Sequence, residues 1–477
     1  MTAPLPHGFR ISLDPGTREL APGLLFGGSP ARVLRLTATG QAAWRALAGG
    51  PVGSAATGTL ARRLTDAGLA HPVPPAAATT PDVTVVIPVH GRAGLLARCL
   101  AAVGGNHPVL VVDDASPDPV AIAAVAAAHG AKLLRRDTNG GPAAARNSAM
   151  AQVRTALIAF LDSDCVPTPG WAATLATHFA DPLVAAVAPR VRPLAPDTWA
   201  GRYSRAASAL DLGGQPARVA PGTRMSYVPT AALVVRRRAL EEVARDGAVF
   251  DQAMRVGEDV ELGWRLHDAG WRIRYDPAVH VEHHEPETWS RILARRARYG
   301  TSAAPLARRR PAAMAPLALH PWPALTVAAL LARRPVLAAA AFTASVLGMR
   351  RTLRAGDIPA DGVVRAMGVA THQTWLGLGR YGTQFAAPVL AAALVAGGRR
   401  RWGRRAAIAS LLLGPPLTGW RTRRPHLGPV RFTAGAIADD IAYGAGVWAG
   451  CLTERTTTPV RPVFTGRPLR VDRKENR

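Results

Sequence analysis

A chain of 477 residues, 48% of them apolar and 5% aromatic, is long enough for two or three domains and excludes a disordered or fibrous protein. Its three cysteines, Cys99, Cys165 and Cys451, lie far apart with no C-x-x-C spacing, which argues against a disulfide framework or zinc site and for a reducing compartment. The net charge of +26 suggests nucleic acid, yet Lys and Arg outnumber Asp and Glu by 26 to 7 beyond residue 300 and by only 32 to 25 before it; the excess adjoins apolar segments without interleaved aromatics, so no nucleic-acid partner is expected.

The first 30 residues lack a basic segment followed by an apolar core, so a cytoplasmic protein without a secretory signal is expected. Residues 1–75 read as a small α+β domain built on Leu34, Leu36, Trp44, Leu47, Leu60, Leu64 and Leu69, with a helix start near Thr39. Pro72 to Pro81 reads as a linker. From Val83 the period changes. Strands are predicted at 83–89, 109–112, 132–134, 157–161, 184–187, 232–235 and 271–275, with helices at 95–103, 120–128, 143–153, 171–179 and 257–269. This alternation predicts an α/β, doubly wound, mostly parallel sheet.

Beyond residue 306 the chain predicts a helical, apolar and basic region. Apolar stretches at 321–332, 335–349, 385–398 and 406–420 alternate with Arg308 to Arg310, Arg333-Arg334, Arg350-Arg351, Arg399 to Arg401 and Arg421 to Arg424. Each is shorter than the ~20 residues that cross a bilayer. Arg on both flanks favours interfacial helices on an anionic membrane surface. The competing reading is an Ala-rich bundle with a basic exterior.

Three clusters close buried strands, where open α/β sheets place ligands. Asp162-Ser163-Asp164 offers two carboxylates suited to a hard divalent cation, Mg²⁺ or Mn²⁺, and a diphosphate; the alternative is a turn or cap. Asp113-Asp114 suits a nucleobase or ribose, unless Asp114 or Ser116 caps the next turn. Asn139 to Asn147 opens a helix whose glycines let backbone approach a ligand, with Arg146 available for phosphate or an aspartate. Glu258-Asp259 is the candidate catalytic pair, a base for a hydroxyl acceptor or else dipole compensation at a helix start. Among His280, His283 and His284, His283 is the candidate third metal ligand. Trp289, Arg295, Arg296 and Tyr299 either line an acceptor or diphosphate site or pack their own helix.

The strings V-V-I-P-V from Val85, V-V-D-D-A-S from Val111, N-G-G-P-A-A-A-R-N from Asn139, F-L-D-S-D from Phe160 and G-E-D-V-E-L-G-W-R-L from Gly257 resemble the family 2 glycosyltransferases of the GT-A fold. The resemblance covers about residues 81–300, and the glycosyltransferase domain is expected over residues 81–305. It implies that Asp113 and Asp114 hold the nucleotide, Asp164 the metal, and Asp259 the base of an inverting transfer. The expected nucleotide-sugar site comprises Pro88, Asp113, Asp114, Gly141, Arg146, Asn147, Asp162 and Ser163, and the expected metal set is Asp162, Asp164 and His283. No Q-x-x-R-W string follows Asp259, which argues against a processive polymer synthase.

The strings D-S-D-C-V-P-T-P-G-W from Asp162, V-A-P-R-V from Val187 and R-Y-G-T-S-A-A-P-L-A from Arg298 are similar to a narrower group, the glycosyltransferases of mycofactocin biosynthesis. That similarity implies glucose transfer from UDP-glucose to a peptide-derived redox-cofactor precursor, repeated to a short β-linked oligosaccharide. It also implies a leading domain like those that recognise peptides. The alternative acceptor is a membrane lipid or cell-envelope molecule at the cytoplasmic face of the membrane.

Overall fold

The computed structural model describes residues 3–76, 82–398, 401–466 and 470–472. Residues 77–81 of the expected linker, and Arg399 and Arg400, lie outside the described residues. The chain divides into two compact units, one of residues 1–194, 208–285 and 470–477, the other of 195–207 and 286–469. This division differs from the expected boundaries at 75–81 and 305–306. The leading segment joins the α/β sheet in one unit, and residues 195–207 and 286–305 belong with the helices.

In the first unit, strand Arg10–Leu13 pairs antiparallel with Ala70–Val73, so the expected linker begins as a strand. Helix Ala38–Gly49 starts at Thr37, whose hydroxyl accepts from the Gly40 amide. Helix Ala55–Ala67 opens with a capping box between Ser54 and Thr57. Leu34, Leu36, Leu47, Leu60, Leu64 and Leu69 form one core. Arg62 reaches from this segment to the α/β sheet region. It donates from both Nη atoms to the Asp181 carboxylate at 2.7 Å, with both residues buried.

The central sheet runs Lys132–Arg136, Val109–Asp114, Val83–Val89, Leu157–Leu161, Ala232–Arg236, Val184–Leu194, Arg272–His284, Cys165–Pro167, with Ala217–Val219 also on Arg272–His284. The Val83–Val89 strand is parallel to both neighbours. Ala232–Arg236 is antiparallel to Leu157–Leu161 and to Val184–Leu194. The result is the expected mostly parallel, doubly wound α/β sheet.

Every residue of Val83–Val89 is buried, because helices cover both faces. Val83, Val85, Ile87 and Val89 pack with Leu96, Leu100, Ile122 and Leu175. Val86 packs on the opposite face with Ala145, Phe160, Phe250 and Leu262.

Arg272–His284 is a single strand of 13 residues, not the short 271–275 strand expected. Its register against Val184–Leu194 jumps from Asp276 to His280, opposite Pro189 and Arg190. That irregularity breaks the period-2 pattern and conceals the strand's continuation. The histidines therefore lie in the strand and not after it. Cys165–Pro167 and Ala217–Val219, each three residues long, are too short to leave a periodic signal.

The second unit is helical. Pro335–Ala355, Val363–Phe385, Arg401–Arg423 and Pro429–Thr453 span 21, 23, 23 and 25 residues. The expected segments at 335–349 and 406–420 are thus parts of longer helices, with Arg350-Arg351 inside one, whereas those at 321–332 and 385–398 correspond to the shorter helices Pro321–Leu331 and Ala387–Val395. Among the described residues, one helix, Pro335–Ala355, has the length and hydropathy to cross a membrane, with mean hydropathy 1.2. Within this unit Trp289 stacks near Trp199 and Tyr203 at 5.0 and 5.1 Å, and Arg296 pairs with Asp439 at 2.9 Å. The packing alternative for those two residues is the one observed. A Cβ at Gly446 would lie 1.8 Å from the Ala297 carbonyl oxygen, so this helix contact requires glycine.

Removing Arg62 strands a buried Asp181 carboxylate. Arg62→Ala is expected to lower the unfolding free energy of the first unit by about 3–5 kcal/mol, measured by urea denaturation; a loss below about 1 kcal/mol would remove this pair from the supports of the fold.

Candidate active site

The strand Val109–Asp114 ends in its two carboxylates, Asp113 and Asp114, directly after the apolar run. Asp113 is fully buried. Its Oδ1 accepts from the Ser116 amide at 2.9 Å, and its Oδ2 faces the Arg135 guanidinium. Asp113, and not Asp114, therefore caps the following turn. Asp114 accepts from Arg136 Nη1 at 2.6 Å and from the amides of Gly140 and Gly141 at 3.1 and 2.6 Å. The second cluster is thereby held against the first. Gly141 has φ +82° with open space where a Cβ would stand, so glycine is required by conformation while its outer side stays clear. Pro88 sits opposite Val112 in the adjoining strand.

Helix Gly141–Met150 then presents Arg146 and Asn147. The Asn147 amide donates to the Phe250 carbonyl at 2.8 Å and accepts from the Val249 and Phe250 amides at 3.1 and 2.8 Å. Its polar atoms are engaged by the segment that leads to Glu258. Arg146, with 2% side-chain exposure, donates to Asp162 at 2.7 Å and to Glu258 at 3.0 Å. Its guanidinium also lies 5.6 Å from the Phe250 ring centroid. One side chain thus joins the strand-end cluster at Asp162 to the start of helix Glu258–Asp268.

Around this guanidinium stand three carboxyls, and one positive charge cannot stabilise three anions in a poorly solvated site. Burial, reinforced by the neighbouring Asp259 charge, pushes Glu258 from 4.5 up to about 7. Burial also raises Asp259, opposed by hydrogen bonds from the Val260 and Thr230 backbone. Asp162 is raised by burial against the pull of Arg146. Glu258 is buried, whereas Asp259 keeps partial exposure. Of the two, Asp259 is the more exposed.

On the other side of buried Ser163, Asp164 Oδ1 lies 3.6 Å from His283 Nε2, and Arg92 approaches its Oδ2 at 3.3 Å. The backbone registers Cys165 against His283, which explains why a residue 119 positions on meets the triplet. His283 Nδ1 lies 3.3 Å from Glu285 Oε1, itself an acceptor for the Ser208 hydroxyl at 2.9 Å. A carboxylate behind an imidazole whose other nitrogen faces a second carboxylate is how metal-binding histidines are oriented. Asp164 and His283 therefore fit a divalent cation, with other positions left for phosphate oxygens. The expected trio is not assembled: Asp162 is turned to Arg146, and among the described residues no group of three or more His, Cys, Asp or Glu is placed to hold a metal ion.

Comparison with known proteins places the chain in a family. The family model described as Glycosyl transferase family 2 matches residues 84–244. The pre-mycofactocin glycosyltransferase of Mycobacterium tuberculosis is 38% identical over 96% of this chain and 98% of its own. The chain belongs to the pre-mycofactocin glycosyltransferases, within family 2. It is a glycosyltransferase. The succinoglycan biosynthesis protein ExoO of Rhizobium meliloti is 31% identical over 46% of this chain and 66% of its own. Among solved structures, the mannosyltransferase PcManGT of Pyrobaculum calidifontis, in complex with GDP-Man and Mn²⁺, is 20% identical with TM-score 0.43, covering 77% of this chain and 88% of that one.

For this glycosyltransferase, sequence reasoning missed Arg135, Arg136, Arg92 and Glu285. The Arg135-Arg136 pair ends strand Lys132–Arg136, whose register sets Arg135 opposite Asp113 and Arg136 opposite Asp114; two cations at that distance from an acidic pair were the available signal. Arg92, at φ +53°, offered none.

Glu258 binds its proton more tightly in the folded chain, so the native state holds more protons than the unfolded one between pH 4.5 and about 7. This contribution favours folding below that window and is lost as pH rises through it. Glu258→Gln is expected to flatten the fall in thermal midpoint between pH 5 and 8 (roughly the titration window); an unchanged slope would show that Glu258 does not carry it.

Proposed function

We propose that the protein transfers glucose from UDP-glucose to the peptide-derived mycofactocin precursor, with inversion at the anomeric carbon, and repeats the step to a short β-linked oligosaccharide. The observation that carries this reading is the Arg146 bracket, which holds Asp162 and Glu258 on one guanidinium and leaves Asp259 accessible beside them. Asp113 and Asp114, at the end of the neighbouring strand, are assigned to the nucleotide, together with Gly141 and Ser163.

In the transfer, the acceptor hydroxyl oxygen forms a bond to the anomeric carbon from the face opposite UDP. The carbon–oxygen bond to the diphosphate breaks, and its electron pair leaves with UDP. The hydroxyl proton passes to Asp259, whose carboxylate is made more basic by burial. Glu258, protonated near neutrality, adds no second negative charge beside that base. Arg146 keeps both elements at fixed separation, so the base does not drift from the donor. Asp164 and His283 would hold Mg²⁺ or Mn²⁺, which when bound neutralises charge on the diphosphate.

Asp259→Asn is expected to bind UDP-glucose with Mn²⁺ as the parent does, by calorimetry, and to lose roughly 10²–10⁴-fold in transfer rate; retained turnover would sink the base assignment.

The helical unit supports a second element of this reading, contact with an anionic membrane. Trp322, Leu330, Val336, Leu337 and Trp402 are exposed large apolar side chains, and Arg333, Arg334, Arg350, Arg351 and Arg354 are exposed near them in the chain. Apolar insertion with flanking cations matches a phosphate-rich leaflet. The protein should float with vesicles containing anionic lipid and not with phosphatidylcholine alone, and Val336→Glu with Leu337→Glu should reduce flotation. A protein that stays at the bottom of the gradient with both would refute membrane contact. The same surface favours the alternative acceptor, a membrane lipid. Product mass spectrometry with lipid extract against precursor separates the two.

A further inference from the structure

A cavity of about 290 Å³ opens in the first unit, lined among others by Leu212, Gly214, Gln215, Arg224, Met225 and Tyr227. None of the strand-end clusters lines it. We propose that this cavity binds the aglycone of the acceptor and that the leading segment sets its affinity by holding Arg224; this rests on the reading of the catalytic site given above.

Position carries the first part. Tyr227 is three residues before Thr230, so the two are separated by at most ~11 Å of extended chain. Thr230 hydrogen-bonds Asp259 through its backbone, and the next residue, Ala231, accepts from the Asp162 amide at 2.9 Å. The cavity wall therefore runs directly into the base and the donor cluster. A molecule seated there therefore lies against a wall only three residues of chain from the backbone bond to Asp259.

Both walls are pre-formed. The Tyr275 hydroxyl donates to the Gly213 carbonyl at 2.6 Å, and the Gly213 amide donates to Asp211, which Arg190 holds at 2.8 Å. Opposite, the Thr223 hydroxyl lies 2.7 Å from the carbonyls of both Ala220 and Met225. Such a site avoids much of the ordering cost of binding.

The lining chemistry selects the ligand class. Leu212, Met225 and the Tyr227 ring offer apolar area, Gln215 and Ser226 offer hydrogen bonds, and Arg224 is the only charged lining residue. A small, partly apolar molecule, neutral or anionic, fits that set; a cation does not.

The leading segment acts through Arg224. The Arg224 amide donates to the Ser29 hydroxyl. Its Nη2 donates to Asp14 at 3.2 Å and to the Pro216 carbonyl at 3.3 Å. Asp14 is in turn fixed by His71 Nε2 at 3.0 Å. A guanidinium that would otherwise sweep the cavity mouth is thus tied to Asp14, 210 positions earlier in the chain.

The test is equilibrium binding of the unglycosylated mycofactocin precursor to the full-length protein, with glucose transfer followed in parallel. Arg224→Ala and Ser226→Trp, an exposed position where a large ring fills the cavity without touching the core, should each weaken binding at least tenfold, and Asp14→Asn at least threefold. UDP-glucose binding should stay within twofold in all three, which separates cavity loss from misfolding. Precursor affinity within twofold of the parent in Ser226→Trp and Arg224→Ala, or no precursor binding by the parent, overturns the proposal. A parent that binds precursor with the expected variant losses yet transfers no glucose supports the cavity assignment and refutes the proposed reaction instead.

Discussion

Arg146 lies with its guanidinium almost wholly inside the protein, 2.7 Å from Asp162 and 3.0 Å from Glu258. A buried cation is tolerated only when anions surround it, and buried carboxylates only when a cation does. Each group therefore holds the others in place. The helix that begins at Glu258 cannot move from the Leu157–Leu161 strand end without breaking the buried hydrogen bond from Arg146 to Glu258. The geometry of the site follows from that mutual requirement more than from any single strand.

The same constraint distributes protons. Three carboxyls share one guanidinium, and the deepest of them, Glu258, keeps its proton to about 7. Asp259, less deeply placed, keeps partial exposure. Burial thus separates two adjacent acids whose chemistry is otherwise the same, and the proposed roles rest on that difference. Asn147, tied to Val249 and Phe250, and Arg265, which donates to Glu261 and the Val249 carbonyl, hold the approach to that helix from either side.

Much of the α/β unit was legible because buried parallel strands are continuous β-branched runs and their helices have a different period. The seven expected strands are all present. What escaped was short or irregular. Cys165–Pro167 has too few residues for a pattern, and the jump at Asp276–His280 hides the second half of a strand. The helices of the second unit were underestimated for a related reason. Arg350 and Arg351 break hydropathy but not helix geometry, since arginine is a good helix former.

The sequence by itself determined the residue chemistry of the site: acids at strand ends, a glycine turn, an arginine, and an acidic helix start, in an order shared with family 2 glycosyltransferases. Those are local properties, written in short strings. Only the tertiary structure decided which groups meet. It turned Asp162 toward Arg146, brought His283 to Asp164 by antiparallel register, engaged Asp113 and Asp114 with Arg135 and Arg136, and tied Arg224 to Asp14. Partners separated by tens to hundreds of residues leave no periodic trace, because their distance is set by strand order and register and not by spacing along the chain.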